Sequence, residues 1–172
     1  MTLTINNCLT DNTGGGLALL FMQRVINHNL PIPALVVVMS PWTDLASTGA
    51  SYKHNAEIDI MLKVSRIEFG IQQCFGGREL MLENNIDVRS PEYSPIYGSF
   101  NSFPPTLILV GTGEVLHSEG VQTYEQCKSS GVQAELYQGE HLCHVFPLFF
   151  KFAPEAELGL QKIVSFVKSH MD

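Results

Sequence analysis

"LTDNTGGGLAL", residues 9–19, decides how this chain is read. Three glycines, Gly14 to Gly16, open an apolar stretch. Just ahead of them, "TLTI" at 2–5 alternates polar and apolar side chains, which predicts a short strand. Leu17 to Ile26 is apolar nearly all round, with Gln23 and Arg24 the exceptions. That predicts a helix buried on most sides, beginning at the glycines and ending near "NHNLPIP". A strand that runs through a tight Gly-rich turn straight into a helix is the setting of a nucleophile elbow, where a catalytic side chain stands at the tip of the turn. Here the tip is Asn12.

Two more segments carry the strand signature. "ALVVVMS" (34–40) and "LILVGTG" (107–113) are continuous β-branched and apolar runs, as parallel strands covered on both faces require. "AELYQG" (134–139) is a further strand candidate. Between them lie helical stretches. Val121, Tyr124 and Cys127 share one face of 119–129, and Gly131 stops that helix. In 154–170, Leu160, Ile163, Val164 and Val167 form a stripe, with Pro154 at the start, Glu155 and Glu157 in the first turn and Lys168 in the last. Strands alternating with helices predict an α/β fold with a mostly parallel sheet and helices on both faces. The middle, 41–105, reads as long ordered loops rich in Pro, Ser and Gly, "SPWTDLASTGASY" and "SPEYSPIYGSFNSFPP". Loops after strand ends are where α/β enzymes build pockets, though Trp42 and Asp44 equally suit the anchoring of a turn.

Composition narrows the function. A chain of 172 residues, 45% hydrophobic and 16% charged, supports one globular core. The net charge of −7 disfavours nucleic acid, which needs a basic patch. No apolar run reaches transmembrane length, and the first ten residues lack the basic and apolar regions of a signal peptide. Cys8, Cys74, Cys127 and Cys143 stand far apart with no CxxC pair, so they read as reduced, mostly buried thiols of a cytoplasmic protein.

Three positions carry chemistry, in a meaningful order: Asn12 at the elbow, Glu114 directly after "LILVGTG", and His144 in "GEHLCHVF" after "AELYQG". Nucleophile, acid, base is the chain order of an α/β-hydrolase triad, each group at the C-terminal end of a strand. The acid fixes the tautomer of the histidine, and the histidine removes the nucleophile's proton. His117, His141 and His144 do not make a metal site, because no thiolate or carboxylate cluster joins them.

The chain resembles the hormone-sensitive-lipase-like family of bacterial carboxylesterases. "DNTGGGLAL" looks like the family's elbow, G-D-S-[AT]-G-G-G, and "SPWTDL", "SPIYG", "PPTLILVGTGEVL" and "HVFPLF" are similar to its later blocks. The resemblance runs over nearly all of residues 1–172 but covers only the C-terminal part of the family's domain, so a single truncated α/β-hydrolase unit is expected. By position, the resemblance implies that Glu114 is the catalytic acid, His144 the base, and Asn12 the replaced serine. Thr13 then offers its N–H to an oxyanion hole, and Gly14 and Gly15 belong to the elbow. It implies a small acyl ester as substrate, with no metal and no organic cofactor.

Two departures bear on activity. Asn12 replaces the serine, and Thr10 stands where the family has the glycine two residues earlier. A carboxamide offers no proton that His144 could usefully remove, and Thr10 adds a Cβ where a close backbone approach is expected. No HGGG loop, the family's source of a second oxyanion donor, occurs in the sequence. Catalysis is therefore expected to be lost. The alternatives are a non-catalytic module that binds an acyl ligand or a partner chain, and a fragment without selected function. With no neighbour for the elbow strand, residues 2–9 are expected to form an open sheet edge and some of Leu17, Leu20, Phe21 and Val25 to lose cover, which predicts a homodimer.

Overall fold

The computed structural model describes residues 8–170, so the strand expected at 2–5 lies outside the described residues. Four strands, β1 (Cys8–Asp11), β2 (Val36–Met39), β3 (Thr106–Gly111) and β4 (Ala134–Gly139), lie side by side in chain order, all parallel. Parallel neighbours need a crossover, and a helix supplies each one. Helix α1 (Asn12–Asn27) links β1 to β2, and α5 (His117–Ser129) links β3 to β4. Between β2 and β3 come α2 (Ser51–His54), α3 (Val64–Phe75), α4 (Arg78–Glu83) and a 3-10 turn at Pro95–Tyr97. Helix α6 (Pro154–Ser169) follows β4.

The β-branched runs are buried on both faces, as their lack of polar alternation requires. Val36, Val38, Ile108 and Val110 point to one side, against Leu19 and Met22 of α1 and Cys127 of α5. Leu35, Val37, Met39, Leu107 and Leu109 point to the other, against Ala156, Ile163 and Phe166 of α6. The α/β architecture with helices on both faces is thus as expected.

Four details differ from the sequence reading. Helix α1 starts at Asn12, ahead of the glycines, and it is not buried on most sides: Leu17 is 61% and Phe21 48% exposed, Leu20 is half-buried and only Val25 of the four is buried. It packs on β1, β2 and the Pro95–Tyr97 turn, at the end of the sheet, which leaves Leu17 and Phe21 exposed. The buried face of α6 is Ala156, Gly159, Ile163 and Phe166, and Val164 is exposed. Gly159 turns that face inward, because a Cβ there would stand 2.5 Å from the Phe146 ring. The middle segment is no run of loops: Ile67 and Ile71 of α3 and Met81 of α4 pack with Leu45, Tyr52, Val115 and Leu116 as a third cluster. Of the four free thiols only Cys127 is buried; Cys74 is exposed and the other two are intermediate. Burial pushes the Cys127 thiol up to about 12, which leaves it inert. Among the described residues, no helix is long and apolar enough to cross a membrane.

Two glycines that flank Trp42 give opposite outcomes when changed to alanine. A Cβ on Gly16 would sit 2.0 Å from the Trp42 carbonyl oxygen, a backbone atom that cannot yield without moving the loop. Gly16→Ala is expected to lower stability by about 2–3 kcal/mol. A Cβ on Gly70 meets only the Trp42 ring at 3.5 Å, ordinary contact. Gly70→Ala, inside α3, is expected to raise stability by about 0.5–1 kcal/mol. Urea unfolding of the two variants reads both signs.

Candidate active site

The chain leaves β1 extended at Asp11 (φ −134°, ψ 163°), turns through Asn12 in the left-handed region (φ 45°), and enters α1 at once. Asparagine is among the few L-residues that tolerate that conformation. The first turn of α1 is pressed onto its surroundings. A Cβ on Gly14 would stand 2.3 Å from Thr10 Oγ1, one on Gly15 2.9 Å from Pro41 Cβ, and the carbonyl of Asn12 accepts the Trp42 N–H at 3.0 Å. Thr10 is therefore no misfit in the turn: its hydroxyl occupies the space that bare Gly14 leaves. Beside the elbow lies a cleft of about 220 Å³ lined by Thr13, Gly16, Leu17, Leu20, Trp42 and Phe75.

Glu114 follows β3, and its side chain is fully buried. Its Oε2 accepts the Ser40 hydroxyl at 2.7 Å and the Gly111 N–H at 3.4 Å. The same oxygen stands 3.7 Å from Nδ1 of His144, a side chain 5% exposed in the loop after β4. That separation is ion-pair distance and slightly longer than a hydrogen bond. Among the described residues, Oε1 of Glu114 and both ring nitrogens of His144 have no hydrogen-bond partner. The structure thus brings Glu114 and His144 together in the interior and places Asn12 at the same end of the sheet, after β1. No hydrogen bond joins the Asn12 side chain to His144.

Of the supports around the pair, Asp44 was readable as the anchor of a turn, while Asn55, Asp59 and Glu119 were not legible in the sequence. The Asn55 amide donates to the carbonyls of Thr112 (2.9 Å) and Glu114 (2.8 Å), and Asp59 Oδ2 accepts the Val115 N–H at 2.8 Å. These residues after α2 fix the loop that carries the acid. Asp44 anchors a turn, accepting from Ala46, Thr48 and the Tyr97 hydroxyl. Glu119 of α5, also fully buried, accepts the N–H groups of Thr43 and Asp44 and the hydroxyls of Thr43 and Tyr52. It ties α5 to the loop that follows β2. Burial outweighs these donors and pushes the Glu119 carboxyl up to about 8. Of the other histidines, His117 Nε2 pairs with Gln138 Oε1 at 2.8 Å and the His141 side chain is exposed, so neither meets His144 at a shared site.

A family model described as alpha/beta hydrolase fold matches residues 10–148. The chain belongs to that family. It is 28% identical over 159 residues to an acetyl-hydrolase of Streptomyces hygroscopicus and 29% identical over 161 residues to an esterase of Acinetobacter venetianus. Both matches cover 92% of this chain and 50% of the relative. The crystal structure of an esterase from the bacterial hormone-sensitive lipase family superposes with a TM-score of 0.86 at 27% identity, over 96% of this chain and 53% of that one. The chain is thus a hormone-sensitive-lipase-like α/β-hydrolase, and it spans about half the length of the relatives it matches.

The raised Glu119 has a consequence for stability. Its folded carboxyl holds a proton between its ordinary value of 4.5 and about 8, where the unfolded chain has lost it. Stability from this group is complete below 4.5 and falls as pH rises through 8. Glu119→Gln cannot titrate, so the stability advantage of the native chain over this variant is expected to shrink steadily across that window. Urea unfolding at matched pH values reads the difference, and a widening gap would mean the donors hold the carboxylate charged.

Proposed function

We propose that this chain is the C-terminal, acid-and-base-bearing part of a carboxylic ester hydrolase in which acyl transfer has been lost. One observation carries the reading: a carboxamide occupies the left-handed elbow position while Glu114 and His144 stay paired and buried behind it. In an active relative of this kind a serine at the elbow would attack the ester, the histidine would act as base and then acid, and the acid would orient it. With Asn12 there is no hydroxyl to deprotonate. Thr13, one residue past the left-handed position, does not replace it, and neither does Cys143, whose thiol is raised by burial. The ligand class that suits the site is a small acyl ester or its acid, held without metal or organic cofactor. Four unpaired thiols suit a cytoplasmic setting.

The partner that suits the chain is a second copy. Among the described residues β1 has one sheet neighbour, β2; Leu9 on it is 56% exposed, and Leu17 and Phe21 of α1 are exposed as well. An open strand edge flanked by apolar side chains favours pairing, and a two-fold dimer closes it with one surface.

Two measurements test the reading. The purified chain is expected not to turn over a short-chain nitrophenyl ester, and Asn12→Ser is expected to stay far below an active esterase, because removing one triad member costs roughly 10⁶ in kcat and the members act as a unit. Turnover by the native chain that disappears in His144→Ala would refute it. Light scattering at micromolar concentration is expected to give the dimer mass. A stable monomer whose β1 amides are protected from exchange would show that the edge is covered within the chain.

A further inference from the structure

We propose that Ser40 is the positioning residue of the Glu114–His144 pair, joining the acid to the backbone of the loop that carries the base. The proposal rests on the reading of that pair given above. Ser40 directly follows β2, the strand between the elbow strand and the acid strand, and is fully buried. Its hydroxyl has one proton and gives it to Glu114 Oε2 at 2.7 Å. Its oxygen accepts the N–H of Val145, the residue after His144, at 2.9 Å. The result is one chain of donors, from Val145 N–H to the Ser40 hydroxyl to the carboxylate, ending on the oxygen that faces His144 Nδ1. Such chains strengthen their members, because each donor is polarised by the next.

The backbone says that this link is more than a convenient turn. Both ends lie in the left-handed region, Ser40 at φ 47° and Val145 at φ 49°. For a β-branched valine that conformation is a true outlier, and it persists only where the surroundings impose it. Glycine would adopt the Ser40 conformation without strain. A serine there accepts the strain of a Cβ in exchange for a hydroxyl that reaches two partners. The strained Val145 in turn sets the loop so that the neighbouring imidazole stays against Glu114. Removing the hydroxyl frees the Val145 N–H and leaves Oε2 with the long Gly111 contact and the histidine alone.

The test reads the pair directly and needs no catalysis. Ring-nitrogen NMR of the histidine-labelled chain reports which nitrogen of His144 carries the proton, and amide exchange reports Val145. In the native chain the Nδ1–H form is expected, with a protected Val145 amide. Ser40→Gly is expected to fold, since its backbone suits glycine, and to melt no lower than the native chain. Its Nδ1–H share is expected to fall about fivefold, the worth of one ordinary hydrogen bond, with the Val145 amide losing its protection. Ser40→Cys, a weaker donor and acceptor, is expected to fall between the two. A stable Ser40→Gly with an unchanged tautomer ratio would overturn the proposal, as would a Val145 amide in the native chain that exchanges like an open loop. Glu114→Gln separates the two readings. If it leaves the His144 ring nitrogens unmoved, the pair itself fails and the proposal with it; if it moves them and Ser40→Gly does not, only the role of Ser40 fails.

Discussion

The structure depends on one close approach: the first turn of α1 lies directly on Thr10 and on the loop Ser40–Trp42. Three consecutive glycines make that approach, since a Cβ on any of them would fall within 3.0 Å of a neighbouring atom. The approach fixes where β1 ends, how α1 leaves it, and where the loop after β2 must run. Because Ser40 sits on that loop and bonds to Glu114 and Val145, the packing at the elbow is passed on to the ends of β3 and β4. The whole C-terminal edge of the sheet is therefore one connected object. Its four loops cannot shift separately without breaking buried hydrogen bonds, which are costly to leave unmade.

Two buried carboxylates sit on this edge and do different things. Glu119 meets four donors and serves as a clamp between α5 and the loop after β2. Glu114 uses one oxygen on Ser40 and Gly111 and leaves the other without a partner, next to a histidine whose ring nitrogens are also unpaired. A purely structural buried carboxyl is expected to be satisfied, as Glu119 is.

Much of this was legible in the sequence. The β-branched runs 34–40 and 107–113 stated the parallel sheet because only a strand buried on both faces affords such uninterrupted apolarity. The order Asn12, Glu114, His144 put the three residues each after a strand, and the structure has them at one end of the sheet. The rest was hidden for physical reasons. Helix α3 has just Ile67 and Ile71 as buried residues, a signal too thin to rise above its polar neighbours. The buried face of α6 was misplaced because a glycine, which no hydropathy stripe counts, does the packing at 159. Ser40 and Asn55 act through long-range hydrogen bonds across 74 and 59 residues, and nothing in their local spacing announces the partner. Asn12, by contrast, was readable as a departure, and its backbone angle explains how the departure is tolerated.

That last point bears on what the chain has become. The elbow forces one residue into the left-handed region, and a serine there carries strain that an active hydrolase retains for its exposed hydroxyl. Asparagine occupies the region more readily than other L-residues and leaves the turn intact. An asparagine in place of a serine there would therefore take away a hydroxyl without straining the turn on which the fold depends. Glu114 and His144 lie buried at ion-pair distance behind this elbow, and Ser40 joins the Glu114 carboxylate to the Val145 backbone. The backbone that presents the elbow residue and the bonds that hold Glu114 and His144 are thus physically separable, because among the described residues no hydrogen bond joins the Asn12 side chain to His144.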